Sequence, residues 1–199
     1  MKYNPHVYQD YATQRILDTN QIALFLEMGL GKTVSTLTAI DLLLHDYYDA
    51  IRVLVIAPLR VAEDTWGREV EKWDHLKHLR ISKVLGTVGI RRAALKADAD
   101  IYVINRENVD WLVTEMGNDW DFDTVVIDEL SSFKSGSSKR FRALRRVRPL
   151  MKRVIGLTGT PAPNGLMDLW SEIYLLDQGQ RLGKTITSYR EHYFTPGSR

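Results

Sequence analysis

The stretch LEMGLGKT (Leu26–Thr33) ends as a phosphate-binding loop ends, with Leu26 where the usual pattern has glycine. An apolar run precedes it, and a helical pattern opened by Lys32 and Thr33 follows. That strand–loop–helix order presents helix N-terminal amides to an anion. Gly29 and Gly31 let the backbone curl closely around phosphate oxygens. Lys32 brings a mobile charge for β- and γ-phosphates, and Thr33 a hydroxyl for Mg²⁺. Leu26 falls at the strand end, before the curl, where a side chain is tolerated. The run Met28, Gly29, Leu30, Gly31, Lys32, Thr33 and Val34 is thus a candidate cradle for a nucleotide.

A second chemical site is VVIDEL (Val125–Leu130), an apolar strand closing on two acids. Asp128 is the candidate Mg²⁺ holder, with Thr33. Glu129 is the candidate base that orients and deprotonates an attacking water. The two are needed side by side because metal and water sit next to each other beside a γ-phosphate.

These residues need a frame that brings them together. Short β-rich runs at Gln21–Leu26, Arg52–Ala57, Asp100–Ile104, Thr124–Ile127 and Arg153–Leu157 alternate with helical patterns at Lys32–His45, Ala62–Trp73, Val88–Ala97 and Ser138–Val147. Such alternation predicts an α/β domain, a mainly parallel sheet with helices on both faces. Right-handed crossovers put the strand ends and their loops along one sheet edge. The small, polar Lys134–Ser138 segment reads as a flexible loop, and Thr195–Arg199 as a loop or tail.

Three segments in order, LEMGLGKT, IDEL and LTGTPAPN (Leu157–Asn164), resemble motifs I, II and III of superfamily 2 helicases. The forms MGLGKT and LTGTP are most similar to the Swi/Snf-type branch of DNA translocases. The resemblance implies a single RecA-like P-loop NTPase domain over residues 1–199, the first of two motor domains, with ATP as the nucleotide in that cradle. PHVYQ (Pro5–Gln9) resembles the motif whose glutamine recognises adenine, which implies that role for Gln9. VIAPLRVAEDTW (Val55–Trp66) and INREN (Ile104–Asn108) resemble motifs that line the DNA track. That implies nucleic-acid contacts by Pro58, Arg60, Asn105 and Arg106, gripping phosphates without reading sequence. From the residues alone, Arg106 could instead pair with Glu107. Thr158, Gly159 and Thr160 are implied to couple the γ-phosphate to the nucleic-acid site, and Pro161–Asn164 reads as a stiff turn. The acidic box departs from its relatives at Ser131.

Nothing after Asn164 resembles motifs IV to VI, which lie on a second RecA-like domain and supply arginines to the γ-phosphate. The 35 residues after Asn164 are too few for one. LWSEIYLLDQG and SYREHYF resemble the segments that close the first domain. The expected partners are therefore DNA, duplex and sequence-independent, and a second RecA-like domain, in a longer protein or in trans. Two other readings fit the same loop and acids: a viral DNA-packaging ATPase, and an ATP-controlled binding module without motor activity.

Composition narrows the classes. At 44% hydrophobic and 26% charged, with net charge +2, the chain reads as an ordinary globular domain. No apolar run approaches the roughly 20 residues of a membrane span, so no membrane partner is expected. The N-terminus lacks the apolar core of a secretory signal. The absence of cysteine excludes disulfides and thiolate metal sites. The expected setting is cytoplasmic, in a bacterium or a phage-infected host. Nine Lys or Arg and no acid lie between Ser132 and Arg153, a basic stripe that suits a polyanion, a partner domain or solvent. His75 and His78 read as loop residues without ligand spacing, and the tryptophans as packing residues.

Overall fold

A parallel strand is buried on both faces, so it reads as an unbroken apolar run. Val53–Ala57 (β2), Ile101–Asn105 (β4), Thr124–Asp128 (β5) and Arg153–Thr158 (β6) are of this kind, with every residue buried. Gln21–Phe25 (β1) and Ile81–Val84 (β3) are partly exposed and form the edges. In this computed structural model, which describes residues 1–27, 29–160 and 165–195, the six strands make one sheet in the order β1-β6-β5-β2-β4-β3. Every pairing is parallel.

The helices are α1 (Val7–Asp18), α2 (Lys32–His45), α3 (Trp66–Lys72), α4 (Val88–Lys96), α5 (Val109–Met116), α6 (Lys139–Val147), α7 (Leu169–Asp177) and α8 (Ile186–Tyr193). Alternate residues of each strand serve separate cores. Leu54 and Ile56 of β2 face Leu112 of α5, Phe141 and Leu144 of α6, and Trp170 of α7. Val53, Val55 and Ala57 face Ile16 of α1, Leu37 and Ile40 of α2, and Trp66 of α3. The expected sheet with helices on both faces is the one found.

Register aligns the strand ends. Phe25 of β1 pairs with Thr158 of β6, Leu157 with Asp128 of β5, and Ala57 of β2 with Asn105 of β4. The phosphate loop, the acid pair, Thr158–Thr160 and the Pro58–Arg60 and Asn105–Arg106 segments therefore leave the sheet from the same edge.

Several expectations need correction. Edge strand β3 and helices α1, α5, α7 and α8 were not among the expected elements. The expected helix Ala62–Trp73 begins instead as a π-turn over Val61–Thr65 that runs into α3. The Lys134–Ser138 segment is a hydrogen-bonded turn: the Ser138 hydroxyl donates to the Ser135 carbonyl at 2.9 Å and accepts the Phe141 amide at 3.2 Å, capping α6. Two of the nine cations in the basic stripe are core residues. Arg148 donates to the carbonyls of Leu175, Leu176 and Met151, and Arg153 pairs with Asp49. The proline turn at 161–164 and the last four residues lie outside the described residues.

Candidate functional site

The site is built from neighbouring strand ends. β1 feeds the loop before α2, β5 carries the carboxylates, and β6 lies between them with Thr158–Thr160. Gly31 is the residue before α2 and has φ 76°, a left-handed conformation that glycine adopts without penalty. A Cβ there would overlap the Gln9 amide nitrogen. Gly29 has φ 85° and open space where its Cβ would stand. Met28 lies outside the described residues. Leu30 is exposed, and Lys32, Thr33 and Val34 form the first turn of α2.

Gln9 is 8% exposed and sits against the loop. Its Nε2 donates to the Leu30 carbonyl at 3.2 Å and its Oε1 accepts the His6 amide at 2.9 Å. A glutamine amide has two donors and two lone pairs, so one of each is left for a ligand. Thr13, one turn on, ties α1 to the Ser35 carbonyl at 3.1 Å.

Lys32 lies between the two acids. Its Nζ is 3.3 Å from Glu129 Oε1 and 3.9 Å from Asp128 Oδ1. Asp128 is 4% exposed, and burial pushes its carboxyl above the usual range, opposed by Lys32 and by the Trp66 indole. Trp66 Nε1 donates to Asp128 Oδ2 at 3.1 Å and is itself fully buried. Trp66, expected only to pack, thus also positions a carboxylate; a buried indole N–H needs an acceptor, and that need is the signal for this role. Glu129 has φ 60° and ψ 63°, a left-handed backbone that costs a non-glycine residue roughly 1–3 kcal/mol. That turn directs the chain away from the sheet while Glu129 stays beside Lys32.

Thr158 is fully buried; its hydroxyl donates to the Thr160 carbonyl at 3.2 Å and accepts the Thr160 amide at 3.3 Å. The Thr158 carbonyl accepts the Leu26 amide at 3.2 Å, and Gly159 runs past Leu26 and Glu27. The proposed coupling residues thus touch the base of the loop directly.

The remaining candidates sit further along the same edge. Pro58 and the exposed Arg60 follow β2. Asn105 is 6% exposed and hydrogen-bonded to Glu107 at 3.0 Å and to Asn108 at 2.7 Å. Arg106 Nε is 3.0 Å from Glu107 Oε1. Glu107 thus engages both candidates, and only Arg60 of the three polar ones presents a side chain without such a partner among the described residues.

Residues 13–190 match the model of the SNF2-related domain. The chain belongs to the SNF2-related family. Its SNF2-related domain is 38% identical over 198 residues to "Putative protein p41" of Acyrthosiphon pisum secondary endosymbiont phage 1, covering 96% of this chain and 43% of that protein. It is 32% identical over 182 residues to the bovine "DNA excision repair protein ERCC-6-like", covering 87% of this chain and 14% of that one. The fold superposes on the Sulfolobus solfataricus SWI2/SNF2 ATPase core in complex with dsDNA at TM-score 0.80 and 27% identity, over 96% of this chain and 39% of that one. The SNF2-related domain therefore has the RecA-like architecture that its motifs implied, and it spans less than half the length of these relatives. No helix among the described residues is long and apolar enough to cross a membrane.

Proposed function

We propose that this chain is the first motor lobe of an ATPase that moves along duplex DNA without reading sequence. The observation that carries the proposal is the convergence of the Gly31–Lys32–Thr33 turn, the Asp128–Glu129 pair and Thr158 on three adjacent strand ends. The likeness to an ATPase core solved with duplex DNA supports the choice of track.

In this reading Gln9 meets the adenine edge, and the amides of Gly29 to Thr33 meet the phosphates. The donors at Thr33 and Asp128 are all oxygen, which fits Mg²⁺. When bound, that ion neutralises charge on the β- and γ-phosphate oxygens. Lys32 Nζ lies 3.3 Å from Glu129 Oε1, so the two share one charge-paired position beside the loop. Triphosphate competes for the Lys32 ammonium and releases the Glu129 carboxylate to take a proton from water. Thr158, bonded to the loop base at Leu26, is the route by which occupancy reaches the edge carrying Pro58, Arg60, Asn105 and Arg106.

A second RecA-like lobe, elsewhere in the same protein or in trans, supplies an arginine to the γ-phosphate, typically worth about 10³–10⁵ in rate. The cytosol of a bacterium or phage-infected cell is the setting that suits the phage relative.

Calorimetric titration with Mg-ATP tests the site itself. We expect one equivalent to bind, and Lys32→Ala to abolish the heat without altering the fold by circular dichroism. Equal binding by the Lys32→Ala protein contradicts the assignment.

A further inference from the structure

Lys32 opens α2 at the phosphate loop, and His45 closes it about 20 Å away at 1.5 Å per residue. At that far end the sequence showed no ligand spacing around His78, but the fold creates one. His45 Nδ1 lies 2.8 Å from Asp41 Oδ1, one helical turn back on α2. His78 Nε2, from the segment leading into β3, lies 2.6 Å from the same oxygen. The three donor atoms are all within 4.8 Å of one another.

We infer that Asp41, His45 and His78 form a binding site for a divalent d-block cation such as Zn²⁺, at the opposite end of α2 from the phosphate loop. Two imidazoles and one carboxylate, with a fourth position open to water, are a ligand set for Zn²⁺. Mg²⁺ and Ca²⁺ prefer all-oxygen surroundings, so this chemistry separates the site from the one at Thr33 and Asp128.

Three features make the site more than a surface encounter. The first is a carboxylate facing the His45 ring nitrogen not offered to the metal: Nε2 lies 3.6 Å from Asp100 Oδ1, within ion-pair range. Once Nδ1 is given to a metal, the ring proton moves to Nε2, where this carboxylate would receive it. Asp100 is fixed in turn, since its Oδ2 accepts the Arg80 amide at 2.7 Å.

The second is the anchoring of His78. Its neighbours Leu76 and Leu79 are buried, and His75 joins the Thr38 hydroxyl of α2 at 2.9 Å. The backbone that offers His78 is thereby pinned to the helix that offers Asp41 and His45.

The third is the small adjustment needed. Ligand atoms on a tetrahedral Zn²⁺ stand about 3.3 Å apart, given metal–ligand bonds of about 2.0 Å. The Asp41 separations of 2.6 and 2.8 Å must open by roughly 0.5–0.7 Å, and the two imidazole nitrogens, within 4.8 Å of each other, must settle at the same spacing. The His45 and His78 side chains are 42% and 53% exposed, which leaves both rings room to rotate into that spacing.

The test is titration of the untagged, metal-stripped chain with Zn²⁺ and with Co²⁺, the latter for its visible d–d absorption. An Asp128→Asn background removes the nucleotide-site carboxylate as a competitor. We expect one equivalent bound with micromolar or tighter affinity, a tetrahedral Co²⁺ spectrum, and a rise in Tm with Zn²⁺. His45→Ala and His78→Ala should each abolish the spectrum, and Asp100→Asn should weaken binding about 10-fold by freeing the imidazole. Both histidines are exposed, so unchanged circular dichroism is expected and serves as the folding control. The inference is overturned if no stoichiometric binding occurs, if binding survives both histidine variants, or if Asp128→Asn abolishes it.

Discussion

Gln9 and Gly31 illustrate how tightly the residue scale is specified. Gly31 needs φ 76°, and a side chain there would also meet Gln9. Gly31→Ala should cost roughly 1–2 kcal/mol in backbone strain and displace Gln9 from the loop, weakening Mg-ATP binding. Adding Gln9→Ala removes the overlap but not the strain, so Tm should recover only in part; full recovery would show that the backbone conformation is not limiting. Trp66 is the second residue to probe. Its indole is the donor that orients Asp128 from a helix on the face of the sheet. Trp66→Phe keeps most of the packing and deletes the donor. Removing an outer partner of a metal-binding carboxylate commonly costs about 10-fold in affinity, so the Mg²⁺ needed for nucleotide binding should rise by about that factor. An unchanged Mg²⁺ requirement would reduce Trp66 to a core residue.

Elements were legible in the sequence where burial on two faces forces a clear pattern. β2, β5 and β6 are such runs, and their expected and observed spans differ by a residue at most. β3 escaped because Ile81–Val84 is a four-residue edge strand with a lysine among its two apolar residues. α1 escaped because it is mostly polar, with Ala12 and Ile16 buried in the core and Leu17 packed against it. The phosphate loop and acid pair were readable because their chemistry demands fixed residue types at fixed spacing. Trp66 and the Asp41–His45–His78 group depend on crossovers that a linear reading does not measure.

α7 carries a consequence at this same scale. Glu172 is 1% exposed, and its Oε1 has no partner among the described residues. Burial, reinforced by Asp168 and opposed by Lys134, raises its carboxyl from 4.5 to about 7. A raised acid favours folding only while protonated. Its contribution is therefore present below about pH 4.5 and is lost as pH rises through about 7, on the order of 3 kcal/mol in all. Glu172→Gln cannot ionise, so its Tm advantage over the parent should grow between about pH 5 and about pH 8. A pH-independent difference would mean that Glu172 finds a charge partner in solution.

At the scale of the whole molecule, one sheet edge gathers the nucleotide candidates, Thr158–Thr160 and the track candidates, while the opposite end of α2 holds the histidine cluster. The basic stripe is smaller than its sequence suggested, because Arg148 and Arg153 are spent inside the fold. Glu107 engages Asn105 and Arg106, so in the proposed reading a backbone phosphate would have to displace that carboxylate to reach them. In that same reading, this edge is half of a cleft that a second RecA-like lobe closes. The most direct measurement is ATP turnover by this chain with and without duplex DNA, and with an added second RecA-like lobe, using Glu129→Gln as the blank. Turnover near the blank for the chain alone, rising when both the lobe and DNA are present, is the predicted result. Fast, DNA-independent turnover by the monomer, or no rise on adding the lobe, would contradict it.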